Sequence, residues 1–168
     1  MSWSRRAFLP VLLAPLAGCG FHPLYGKSDR SKEAAELASI KVAPIANRLG
    51  QMLEFALRES FNPHNLPIAQ RYTLYVTLAV TENDLGILRD ATATFGEVIV
   101  SAEFSLAESK TGQRVFTGRT SATGSFNIPN DAFAAQVAGD DARDRTVSQL
   151  SEEIGTRLIF FLRQSRAG

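Results

Sequence analysis

From Tyr72 to Thr81 the chain alternates without a break. Tyr72, Leu74, Val76, Leu78 and Val80 fall on one side, and Thr73, Tyr75, Thr77, Ala79 and Thr81 on the other. A period of two is that of a strand with one face buried and one face open. A second strand of this kind runs from about Thr94 to Ala107. It sets Val98, Val100, Ala102, Phe104 and Leu106 inward, and Glu97, Ile99, Ser101, Glu103 and Ser105 outward. Glu108 to Gly112 supplies a hairpin turn, and the Thr- and Gly-rich stretch from about Gln113 to Phe126 returns as a third arm. Strands with a single apolar face need a layer to bury it.

The rest of the sequence offers that layer. Ile40, Val42 and Ile45, closed by Pro44, mark a first short strand within Leu37 to Ile45. Asn47 is placed to cap a helix from about Arg48 to Phe61, with Leu49, Met52, Leu53, Ala56, Leu57 and Ser60 on one face. Asn62 to Pro67 stops it. A turn-rich stretch from Glu82 to Thr92 separates the two alternating strands. After Pro129-Asn130-Asp131, a helix from about Ala132 to Gln164 carries the stripe Val147, Leu150, Ile154, Leu158, Phe161 and Leu162, with Gly139-Asp140 as a point where it can bend. The order β-α-β-β-β-α predicts an α+β domain: one mixed four-stranded sheet with two helices packed on one face. The β-α-β crossover implies parallel pairing at the start, and the hairpins imply antiparallel pairing after it.

The first residues read differently. Arg5-Arg6 precede the apolar run Ala7 to Ala17, which ends in Leu16-Ala17-Gly18-Cys19. That run is too short for a membrane-spanning helix, which takes roughly 20 apolar residues. It resembles a bacterial lipoprotein signal peptide with its lipobox. A thiol is required there because the Cys19 sulfur takes the diacylglycerol thioether, and small residues before it fit a peptidase cleft. Residues 1–18 are then the signal peptide, residues 19–36 a lipidated tether, and residues 37–168 the folded domain. Its residues 20–36 would reach about 55 Å if fully extended. Ser4-Arg5-Arg6-Ala7-Phe8-Leu9 also resembles a twin-arginine export motif, and an ordinary secretory start with two arginines fits as well; both routes leave the cytoplasm. Gly20, rather than Asp, at the second position of the lipidated chain favours the outer membrane.

Losing residues 1–18 removes two arginines and no acid, which turns the net charge of +1 into −1. That balance gives no support to nucleic-acid binding, which leaves a basic footprint. With Cys19 lipidated, the chain has no second cysteine for a disulfide. His22 and His64 stand apart from any ligand at metal-site spacing. No phosphate loop or nucleophile elbow occurs. Asp140-Asp141 with Asp144, and Glu152-Glu153, read as the solvated face of a helix beside Arg143 and Arg145. The expectation is a protein that is not an enzyme and holds no cofactor beyond the acyl and diacylglycerol lipid on Cys19.

The run Gly18-Cys19-Gly20-Phe21-His22-Pro23-Leu24-Tyr25-Gly26, followed by Val98 to Leu106, Thr111-Gly112, Gly118 and Ser125-Phe126-Asn127, resembles the LptE family of lipopolysaccharide-assembly lipoproteins. Phe126 departs from the tyrosine frequent there. The resemblance implies an outer-membrane lipoprotein, lipid-anchored on the periplasmic face, that assists assembly of an LptD-like β-barrel and plugs its lumen. It also implies contact with lipopolysaccharide. A domain of this size has a radius of gyration near 14 Å, so only a very wide barrel would hold it. A periplasmic adaptor lipoprotein of an inner-membrane exporter is the alternative that shares the lipobox and the α+β pattern.

Lipopolysaccharide phosphates call for cations. By location the candidates are Arg89 in the loop between the alternating strands, and Lys110, Arg114 and Arg119 on the last hairpin. Solvated surface charge is the other reading of all four. The face with Tyr75, Thr77, Ile99, Ser101 and Thr117 suits a barrel wall and suits water equally.

Overall fold

The computed structural model describes residues 27–87 and 93–167, with side chains from 33 to 83 and from 95 to 165. The signal peptide, Cys19, the start of the tether and Arg89 lie outside the described residues. The backbone divides into two units, residues 1–31 and 32–168. Of the first, only the opening turn of a helix is described, and the second carries the sheet and its core.

The elements are α1 (Lys27–Ala38), β1 (Ile40–Val42), α2 (Asn47–Phe61), β2 (Tyr72–Ile87), β3 (Ala93–Glu108), β4 (Arg114–Asn127) and α3 (Ala132–Ala167). The fold is α+β, with one mixed four-stranded sheet in the order β1-β2-β3-β4. β1 pairs parallel with β2, Val42 opposite Leu74. β2 and β3 pair antiparallel, Val80 opposite Val100. β3 and β4 do the same, Ala102 opposite Thr120, with an irregularity opposite Leu106/Ala107.

Even-numbered residues of β2 and β3 face the helices. Leu74, Val98, Val100, Ala102, Phe104 and Leu106 are buried there against Leu53, Leu57 and Phe61 of α2 and Val147, Leu150, Ile154, Leu158 and Leu162 of α3. The α3 residues recur at three- and four-residue steps, which keeps them on one stripe. Gly124 lets α3 come close: a Cβ at that position would overlap Thr146 Oγ1 and lie 3.0 Å from the Ala142 carbonyl. Below it, the Phe116 ring stacks on Phe161 at 4.7 Å and tilts against Phe104 at 6.0 Å.

Several local expectations need correction. The polar stretch of the tether is helical from Lys27, so a third helix joins the two expected. It contains no Gly or Pro and ends in Ala-Ala-Glu-Leu-Ala, all good helix formers. Its twelve residues advance about 18 Å instead of the roughly 40 Å of an extended chain. Leu37 packs against the core and Glu33 accepts a 2.8 Å bond from Arg163. The first strand shrinks to three residues, because the helix precedes it and Pro44 follows the last ladder bond, from Ala43 N–H to the Leu74 carbonyl. Asn47 is not the cap: extended Ala46 holds that position without a side-chain bond, and Asn47 is the first helical residue, at φ +67°. The Glu54 carboxylate instead accepts the Ile45 N–H at 3.2 Å. Strand pairing extends through Glu82 to Ile87, a stretch expected as turn. α3 runs through Gly139 unbroken, with that glycine buried beside Phe126. Val80, expected inward, is 42 % exposed.

Candidate functional site

With the helices on one side, the odd-numbered residues form an uncovered face. Its rows follow the register: Tyr75 beside Ser105 and Thr117, Thr77 beside Glu103 and Arg119, Ala79 beside Ser101 and Ser121. Small hydroxyl side chains dominate, because an alternating strand that buries every second residue leaves the others to water. Two aromatic side chains stand on this surface, Tyr75 at 53 % exposure and, at the other end of β3, Phe95 at 51 %.

An open depression of about 840 Å³ occupies the lower part of the face, lined among others by Tyr75, Glu103, Glu108, Arg114, Thr117 and Arg119. Arg119 donates to the Glu103 carboxylate across the β3–β4 ladder. Both side chains are mostly exposed, so water screens the pair. Arg114 enters β4 just after the turn, which is built by the Gly112 N–H donating to the Glu108 carbonyl and by Gly112 at φ +69°. Only glycine adopts that left-handed backbone at no cost. Lys110 lies on the same turn, exposed beside the depression rather than in its lining.

Of the four candidate cations, then, Arg114 and Arg119 share one depression, Lys110 borders it, and Arg89 is outside the described residues. Glu103 and Glu108 line the same depression, so its charge is balanced rather than cationic. A polyanion would have to displace Glu103 from Arg119.

Arg143, expected beside its acidic neighbours on a solvated helix face, does more. Its Nε and Nη2 donate to the two Glu82 carboxylate oxygens at 2.8 and 2.9 Å, and Nη1 donates to Asp140 at 2.8 Å. The bond to Glu82 holds its pKa above the ordinary arginine value, against the opposing effect of burial. No sequence pattern pairs two residues so far apart. The remaining acids expected as a solvated face behave so, with Asp141 paired to Arg145 and Glu153 to Arg157.

Among the described residues, no group of three or more His, Cys, Asp or Glu could hold a metal ion. No described helix is long and apolar enough to cross a membrane.

No family model matches this chain, and no curated protein matches it. Solved structures do. A protein of Caulobacter crescentus described as a lipoprotein superposes with a TM-score of 0.65 and 26 % identity, covering 80 % of this chain and 97 % of its own. The structural neighbours are bacterial lipoproteins. Rare lipoprotein B of Shewanella oneidensis follows with a TM-score of 0.58 and 13 % identity, over 76 % of this chain and 98 % of that one. A minor lipoprotein of Acinetobacter baumannii matches at 0.52 and 13 % identity, over 71 % and 87 %. At 13 % identity the last two speak for the fold alone.

Proposed function

We propose that this chain is an LptE-type outer-membrane lipoprotein. Lipidated at Cys19 and facing the periplasm, it assists assembly of an LptD-like β-barrel, occupies its lumen, and contacts lipopolysaccharide there through cations drawn from Arg89, Lys110, Arg114 and Arg119. The role is non-catalytic. The observation that carries this reading is the likeness to the Caulobacter lipoprotein along almost its whole length, joined to the lipobox ending in Cys19. The uncovered hydroxyl-rich sheet face adds support, since a plug needs a broad polar surface to meet a water-filled lumen. Two or more acyl chains make the anchor stable, where one would bind only marginally.

The test is a pull-down of the tagged, lipidated protein from detergent-solubilised outer membranes, with co-purifying proteins identified by mass spectrometry. A large β-barrel in stoichiometric amount is the expected result. Inner-membrane transporter subunits in its place would make the chain an exporter adaptor.

A further inference from the structure

β4 closes the sheet, and no described strand lies beyond it. Which of its backbone groups are unspent follows from the ladder. The Ser109 N–H donates to the Arg71 carbonyl and the Glu108 N–H to the Gln113 carbonyl. Along β3, odd residues therefore face β2 and even residues face β4. Pairs such as Val100 with Ala122 and Ala102 with Thr120 are the hydrogen-bonded ones. The N–H and C=O of Thr117, Arg119, Ser121, Thr123 and Ser125 thus point off the open edge.

Edges that must stay unpaired are usually short or carry Lys, Pro or bulges. β4 has neither Lys nor Pro in its 14 residues. Its irregularity is confined to the end near Arg114. A depression of about 580 Å³ wraps this edge, with Arg119 to Ala122 on one side and Gln149, Glu153 and Arg157 of α3 on the other. A bare strand edge beside a helix wall suits an extended segment, since only extended backbone meets a row of such groups in register. Charge narrows the choice. Arg119 and Arg157 beside the edge are already paired, with Glu103 and Glu153, whereas Arg114 at the start of β4 has no ion-pair partner among the described residues.

We propose that the open edge of β4 takes up an extended segment of the barrel partner, with one acidic side chain, as a fifth strand. The segment runs along the β4 edge, beside α3 at Arg119 to Ala122, and sets its carboxylate at Arg114 where β4 begins. This rests on the function proposed above.

Ser121→Pro removes one outward N–H and leaves the bonds to β3 alone, so the variant keeps its melting temperature. In the pull-down it should recover the barrel at least about tenfold less than wild type, and Arg114→Glu should also reduce recovery. Amide exchange at Arg119, Ser121 and Thr123 should slow by about tenfold or more in the wild-type complex. If Ser121→Pro fails to fold, Thr123→Pro and the exchange measurement on wild type carry the test. Equal capture by the proline variant with unprotected edge amides overturns the edge pairing and leaves the proposed function standing. Absence of a barrel from the wild-type sample overturns both. A wild-type dimer that Ser121→Pro converts to monomer shows that a second copy fills the edge, which also overturns the proposal.

Discussion

Gly124 and Arg143 hold α3 to the sheet by opposite means, one by absence and one by reach. At Gly124 any side chain would push against Thr146 and the Ala142 carbonyl, and Thr146 is itself fixed by its hydroxyl donating to that carbonyl at 2.7 Å. Gly124→Ala should therefore cost about 1–3 kcal/mol, read as a lowered denaturation midpoint at unchanged slope. Thr146→Ala in the same chain should return part of that loss, because the two changes share one contact. Arg143 spans from α3 to Glu82 of β2. Its Glu82 partner is half exposed, so Arg143→Met should lower stability by about 1 kcal/mol or less. The sign of its pH dependence follows from the raised pKa. Stability from this group is complete below the ordinary arginine value and is lost only as pH rises through the still higher folded value. The difference between wild type and Arg143→Met should thus stay constant from neutral to mildly alkaline pH. A difference that fades over that range would show that the guanidinium is not what links α3 to β2.

At the scale of elements, β3 supplies more of the buried core than any other strand. Val100 is wholly buried at its centre, opposite Val80 on one side and Ala122 on the other. Val100→Asp places an unpaired charge there and should abolish the cooperative melt, because its cost exceeds the few kcal/mol by which domains are stable. An unchanged melt would mean the register is shifted by one. That register was readable beforehand because alternation in Tyr72 to Thr81 and Val98 to Leu106 is strict. What failed to show had weaker local signals. Glu82, Asn83 and Asp84 look like turn residues, yet they extend β2 because Val98, Glu97 and Gly96 lie opposite to pair with them. The segment from Lys27 looks like polar linker because its helical character is propensity without an apolar stripe, and Leu37 and Glu33 gain partners only through tertiary contact. Asn47 has the right side chain for a cap, but the backbone enters α2 one residue earlier. The candidate cations divide the same way. Arg114 and Arg119 could be placed on the last hairpin from sequence, whereas the acids that balance them, Glu103 and Glu108, come together only through the β3–β4 pairing and the turn.

For the whole molecule the expected anchor sets the first question. Cys19→Ala should leave the folded domain intact, with the same circular dichroism and melt, but yield an uncleaved or mislocalised precursor. Membrane fractionation checks this, and normal outer-membrane recovery of the variant would exclude lipidation at Cys19. The order of strands in the sheet has a separate consequence. β1, β2, β3 and β4 are neighbours in space in the same sequence in which they are made. Each strand can join the growing sheet as soon as the chain supplies it, and loop closure costs little at each step. α3 comes last, yet it brings Val147, Leu150, Ile154, Leu158 and Leu162 to the core. Until it arrives, the nearly complete sheet shows an oily face to its surroundings beside an unpaired border. The most adhesive moment in the making of this domain therefore falls just before α3 arrives.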